Sequence, residues 1–173
     1  MSEADWLACE NTTEMMIFLG KRLSQRKQEL FFCGLLRLFW EYLSDDCYRR
    51  YCEVKERFAD GRATKKEMEE ANQATSDKTA WTPAFSELDD VAKRETSLLR
   101  HISGNPFSPY TVPGSWPSTV VKLAEALYDG QECSFALYDA LLEAGHPNFA
   151  EHFKDEQWHP KGCWALDLIL GRK

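Results

Sequence analysis

The chain has 173 residues, 43% hydrophobic and 13% aromatic, a composition that excludes wholesale disorder and a length sufficient to bury one sizeable core without disulfides or metal. Its formal charge of -7 and pI near 5.2 argue against the broad basic surface that phosphate backbones demand, so no nucleic-acid partner is expected. The expectation is a single helical domain over residues 1–173, all-α, with no run of strand character strong enough to suggest a sheet.

Ser2 and Asp5 frame a helix start whose apolar stripe is Trp6, Leu7 and Cys9. After the break at Asn11-Thr12-Thr13, Thr12 or Thr13 is expected to cap a short helix carrying Met15, Met16, Phe18 and Leu19, which Gly20 ends. Ser24 then opens the approach to Glu29–Leu43, apolar on every face of a 3.6-residue helix apart from Arg37 and Glu41. A helix of that kind must be wrapped by others, so Leu30–Leu43 is read as the buried central helix, with Arg37 and Glu41, one turn apart, as a paired buried charge. Its apolar run of about 14 residues falls short of the roughly 20 that span a bilayer, and no membrane partner is expected.

Ser44-Asp45-Asp46 breaks the pattern before a helix from Cys47 to about Ala59, which Asp60-Gly61 terminates. Thr64-Lys65-Lys66-Glu67 matches the capping box, in which the Thr and Glu side chains satisfy each other's orphan amides. The polar helix that follows has only Met68, Ala71 and Ala74 as a stripe, and Thr82-Pro83 is expected to restart a helix through Phe85, Leu88, Val91, Leu98 and Leu99.

Between Ser103 and Pro117 the glycines and prolines forbid regular helix while Phe107, Tyr110, Val112 and Trp116 are interleaved. Such a loop either pins itself to its own domain with these rings or presents them to a protein partner, and Phe107, Tyr110 and Trp116 are the partner-binding candidates. Pro117 starts a helix with Val120, Val121, Leu123, Ala124, Leu127 and Tyr128 inside. Ser134 is expected to cap the next, with Phe135, Leu137, Tyr138, Leu141 and Leu142 inside, before a turn at His146-Pro147-Asn148 and a docked apolar C-terminal helix.

The metal candidates are His152, His159 and Cys163, with His146 or another Cys as a possible fourth ligand, because zinc takes tetrahedral nitrogen and sulfur sets. No Cys-x-x-Cys pair exists, and the blander reading of the three is a buried thiol and two ordinary histidines, with no cofactor. A nucleophilic reading pairs Cys163 with His159 and orients the imidazole through Asp155 or Asp167, although the flanking Trp164 and Leu166 favour a buried, inert thiol. The opening Met1–Trp6 is acidic and lacks a charged-then-apolar leader, from which a reducing cytoplasm with six free thiols is expected.

Several strings together carry a family resemblance. These are Glu3–Cys9, Arg26-Lys27 leading to Cys33, Arg37 and Trp40, Glu53–Gly61, Gly104-Asn105-Pro106-Phe107, Leu141–Gly145 and His159–Gly171. The chain resembles a family of uncharacterised proteins of planctomycete-type bacteria, often encoded with repeat or interaction domains; its specific motifs are the Gly-Asn-Pro-Phe turn and the Gly-Cys-Trp terminus. Where relatives carry a cysteine cluster after Phe31, this chain has Gly34, Leu35 and Leu36, which implies packing positions there and not metal ligands. The resemblance, with the absence of catalytic motifs, implies a non-enzymatic interaction or adaptor protein of a bacterial cytoplasm. The alternative is a small thiol hydrolase or zinc-binding protein using His159 and Cys163.

Overall fold

The computed structural model describes residues 1–43, 45–76, 90–111, 113–154 and 158–172, and every regular element among them is helical. The expected restart at Thr82-Pro83, with Phe85 and Leu88, the loop residue Val112 and the candidate Asp155 lie outside the described residues. No helix among the described residues is long and apolar enough to cross a membrane. The backbone divides into two compact units, Met1–Arg100 and His101–Lys173.

In the first unit, α1 (Glu3–Ala8) begins with the expected reciprocal cap between Ser2 and Asp5. The start of α2 (Thr12–Leu19) corrects the sequence reading: Asn11 is the cap, its side-chain oxygen accepting from the amides of Thr13 and Glu14. Asn reaches those donors with a short planar amide, leaving Thr12 free to donate to Glu95.

The expected central helix, Leu30–Leu43, is displaced toward the N-terminus and more one-sided than its composition suggests. α3 (Gln25–Leu38) starts at the Ser24 cap, ends in a turn at Phe39 and gives way to a 3₁₀ turn, Trp40–Tyr42. Leu30, Phe31, Cys33 and Gly34 are buried, whereas Phe32 is 55% and Tyr42 57% exposed. α3 packs against α4 (Asp46–Ala59), which packs in turn against α5 (Lys65–Ser76). The Thr64–Glu67 capping box forms as expected, with Val54 of α4 over Met68 and Ala71 of α5 as a small satellite core.

Arg37 does not pair with Glu41, which is exposed; its guanidinium donates to both carboxylate oxygens of Glu56 on α4, one at 2.7 Å. The i,i+4 partner loses because it stands in solvent past the end of α3, while Glu56, 3% exposed, needs a cation. Beside this pair the thiols of Cys33 and Cys52 each lie against the other's backbone carbonyl, at 3.8 and 3.5 Å.

The second unit is organised by α7 (Ser118–Tyr128), α8 (Ser134–Glu143), α9 (Pro147–Ala150) and α10 (Trp164–Leu170), with α7 packed on both α8 and α10. Val120, Ala124, Leu137, Leu141, Phe149, Phe153, Cys163 and Leu166 are its buried centre. On α8, Phe135 and Leu142 face outward at 55% and 39% exposure, against the expectation that both lie inside. Ser134 is not a cap either. It occupies the first helical position after Cys133, and its hydroxyl is turned inward to other partners.

Candidate metal centre

Three separate stretches of the second unit bring four donors to a common point. His101 comes from the last turn of α6 (Val91–Ser103), and His152 from a 3₁₀ turn, Glu151–Phe153, that follows α9. His159 and Cys163 come from the segment entering α10, where Cys163 is the residue before the first turn. Their ligand atoms all lie within 4.8 Å of one another.

The contacts inside the cluster are close. His101 Nε2 is 3.1 Å from His159 Nδ1, His152 Nε2 is 3.1 Å from Cys163 Sγ, and Cys163 Sγ is 3.9 Å from His159 Nδ1. The three imidazole rings have centroids 4.7 to 5.1 Å apart, against the rings of Phe153 and Trp164. Cys163 is fully buried and His159 nearly so.

This burial sets the protonation. Burial, reinforced by repulsion from His101 and His159, pushes His152 down to about 2. Burial pulls His159 down to about 4. Both rings are therefore neutral near pH 7, and each keeps one nitrogen lone pair, the form in which histidine binds a metal.

The hydrogen-bond network fixes which nitrogen of His159 carries the proton. Ser134 Oγ donates its only proton to the Phe153 carbonyl at 2.9 Å, so toward His159 Nε2, 3.2 Å away, it acts as an acceptor. His159 is thus protonated at Nε2, and its Nδ1 lone pair faces the cluster.

Of the sequence candidates, His152, His159 and Cys163 come together, while His146 does not join them: its Nδ1 is 2.8 Å from the Tyr110 hydroxyl. The fourth donor is His101, which sequence reasoning missed. The nearest thing to a signal was its place beside Leu98, Leu99 and Ile102, the buried stripe of α6. In the hydrolase reading, the imidazole closest to the thiol is His152 and not His159. Asp167 is buried one turn into α10.

The loop aromatics divide. Tyr110 and Trp116 lean on Phe149, with centroids at 4.4 and 5.3 Å, and Trp116 also meets the His146 ring at 4.9 Å. Phe107 is 38% exposed. Comparison of the chain with family models, with curated proteins and with solved structures gives no match.

Proposed function

We propose that the second unit holds a structural zinc ion through His101, His152, His159 and Cys163, within a non-enzymatic interaction protein. The observation that carries this is the convergence of three imidazoles and one thiol, all within 4.8 Å, in a buried setting. Tetrahedral zinc, with bonds of about 2.0–2.1 Å to nitrogen and about 2.3 Å to sulfur, needs donor-to-donor edges of roughly 3.3–3.6 Å. The separations of 3.1, 3.1 and 3.9 Å straddle those edges.

Binding asks little of the protein electrically. The two strongly buried imidazoles are already neutral, so the main proton to leave is that of the Cys163 thiol, and the thiolate offsets one of the two charges of the ion. Four protein donors saturate a tetrahedral ion and leave no position for water or substrate, which is the arrangement of structural and not catalytic zinc. The same burial counts against the hydrolase alternative, because a nucleophilic thiol needs a route to its substrate and Cys163 Sγ has none at 0% exposure.

The two motifs behind the family resemblance adjoin this centre. Gly104, three residues past His101, has φ +72°, and a Cβ on it would lie 3.1 Å from Trp164 Cγ, next to Cys163. For partner recognition Phe107, 38% exposed, is the candidate with the most accessible ring; Tyr110 and Trp116 pack against the core of their own unit.

Elemental analysis of chain purified without a metal-affinity step tests the reading. One zinc per chain is expected, lost in His152→Ala and Cys163→Ser. Cobalt substitution should give an intense thiolate-to-metal band that Cys163→Ser abolishes. Wild-type protein that stays metal-free after refolding with zinc overturns the proposal. For the interaction part, a partner retained unchanged by Phe107→Ala counts against Phe107.

A further inference from the structure

Resting on the zinc reading above, we infer that Ser134 is the positioning residue of the centre, one hydroxyl that sets two of the four ligands and makes Nδ1 the metal-binding atom of His159. Ser134, 6% exposed, stands one residue past the cap position held by Cys133, and its hydroxyl turns inward to the Phe153 carbonyl and to His159.

Its proton goes to the Phe153 carbonyl, which belongs to the residue after His152, so it ties down the 3₁₀ turn that carries that ligand. Its lone pair receives the Nε2 proton of His159, which leaves Nδ1 as the unprotonated nitrogen. A ligating histidine whose remote N–H is held by an oriented acceptor keeps one tautomer and one ring orientation, and loss of such an acceptor typically costs about 10–100-fold in metal affinity. Nothing comparable is needed at Cys163, whose Sγ has a single donor atom and no tautomer.

The test is made on the full chain with zinc as the probe. Wild type and Ser134→Ala are titrated with zinc against a chromophoric chelator, and the imidazole nitrogens are assigned by long-range proton–nitrogen NMR in zinc-free and zinc-loaded protein. Loaded wild type should show His159 protonated at Nε2 and metallated at Nδ1. Zinc-free Ser134→Ala should show His159 as a mixture of tautomers, and its zinc dissociation constant should rise about 10–100-fold. Ser134→Thr, which keeps the hydroxyl, should restore the single tautomer.

Metallation of His159 at Nε2 in the wild type overturns the inference without any variant having to fold. So does unchanged affinity in Ser134→Ala. Failure of the wild type to bind zinc at all overturns the metal reading and this inference with it, and is distinguished by the titration of the wild type alone.

Discussion

Gly34 of α3 lies so close to Leu98 of α6 that a Cβ on the glycine would sit 2.9 Å from Leu98 Cδ2. A glycine within a helix costs about 1 kcal/mol against alanine, and here that cost accompanies a close approach of two helices in the first unit. Gly34→Leu should destabilise by about 1–3 kcal/mol through overpacking. Leu98→Ala in the same chain should recover part of that loss, giving a favourable coupling in a denaturation double-mutant cycle. Simple additivity of the two changes would mean the contact carries no energy.

The Arg37–Glu56 pair should behave as a buried carboxylate with a half-buried cation. Arg37→Met leaves Glu56 without its charge partner and should cost about 2–3 kcal/mol, at or below the lower edge of the buried-pair range of about 3–5 kcal/mol because the arginine is 32% exposed. Replacing both residues by Met and Leu should recover most of it. Urea melts of the two variants distinguish this from a pair whose worth lies in its hydrogen bonds alone, for which the double change would be no better than the single.

Zinc removal should lower the melting temperature of the wild type and leave Cys163→Ser unmoved. With free zinc at about 100 times its dissociation constant, linkage adds about 2.7 kcal/mol. Scanning calorimetry with and without chelator reads the difference directly. Equal melts would mean that bound metal gives this fold no stability.

The parts legible in the sequence were those decided within one turn of helix. The Ser2–Asp5 and Thr64–Glu67 boxes are three-residue relationships, and any chain that places those side chains there forms them. Arg37 shows where such reading stops. Its i,i+4 neighbour Glu41 is a sound local partner, but Glu56 is nineteen residues away and buried, and the larger desolvation cost decides the pairing. His101 was hidden for the same reason: fifty-one residues separate it from His152, and no local spacing links a histidine ending one helix to others on a turn and a loop. Ser134 was read as a cap because sequence shows a serine before a helix, not which way its hydroxyl turns.

The aromatic loop should separate by substitution. Trp116→Ala removes a ring packed on Phe149 and His146 and should cost about 3 kcal/mol, while Phe107→Ala, at the more exposed ring, should cost less. Thermal melts of the two variants are sufficient. A large loss at Phe107 would place that ring in the core of the unit and remove it as a recognition residue.

Acid should loosen α5 first at its beginning. The Thr64 amide, then the Thr64 hydroxyl, holds the Glu67 carboxyl below its ordinary value near 4.5, with a further contribution from Arg57. A depressed carboxylate stabilises the fold above its unfolded pKa, and that stability is lost as pH falls through the folded value. Protection factors for amide exchange at Lys66 and Glu67 should therefore fall as pH drops below about 4.5, and Glu67→Gln should flatten this dependence. An identical profile in Glu67→Gln would assign the acid response to other groups.

The crossed contacts of Cys33 and Cys52 give the first unit its own clock. Both thiols are buried, and the neighbouring Cys33 group, then burial, holds Cys52 well above the ordinary thiol range, so the reactive thiolate is scarce in the closed state. Iodoacetamide should mark the partly exposed Cys9 and Cys47 quickly, Cys133 more slowly because burial pushes its thiol up, and reach Cys33 and Cys52 only in molecules where α3 and α4 have parted. The two helices would be alkylated together, at a rate that reports how often this interface opens and that needs no probe added to the chain.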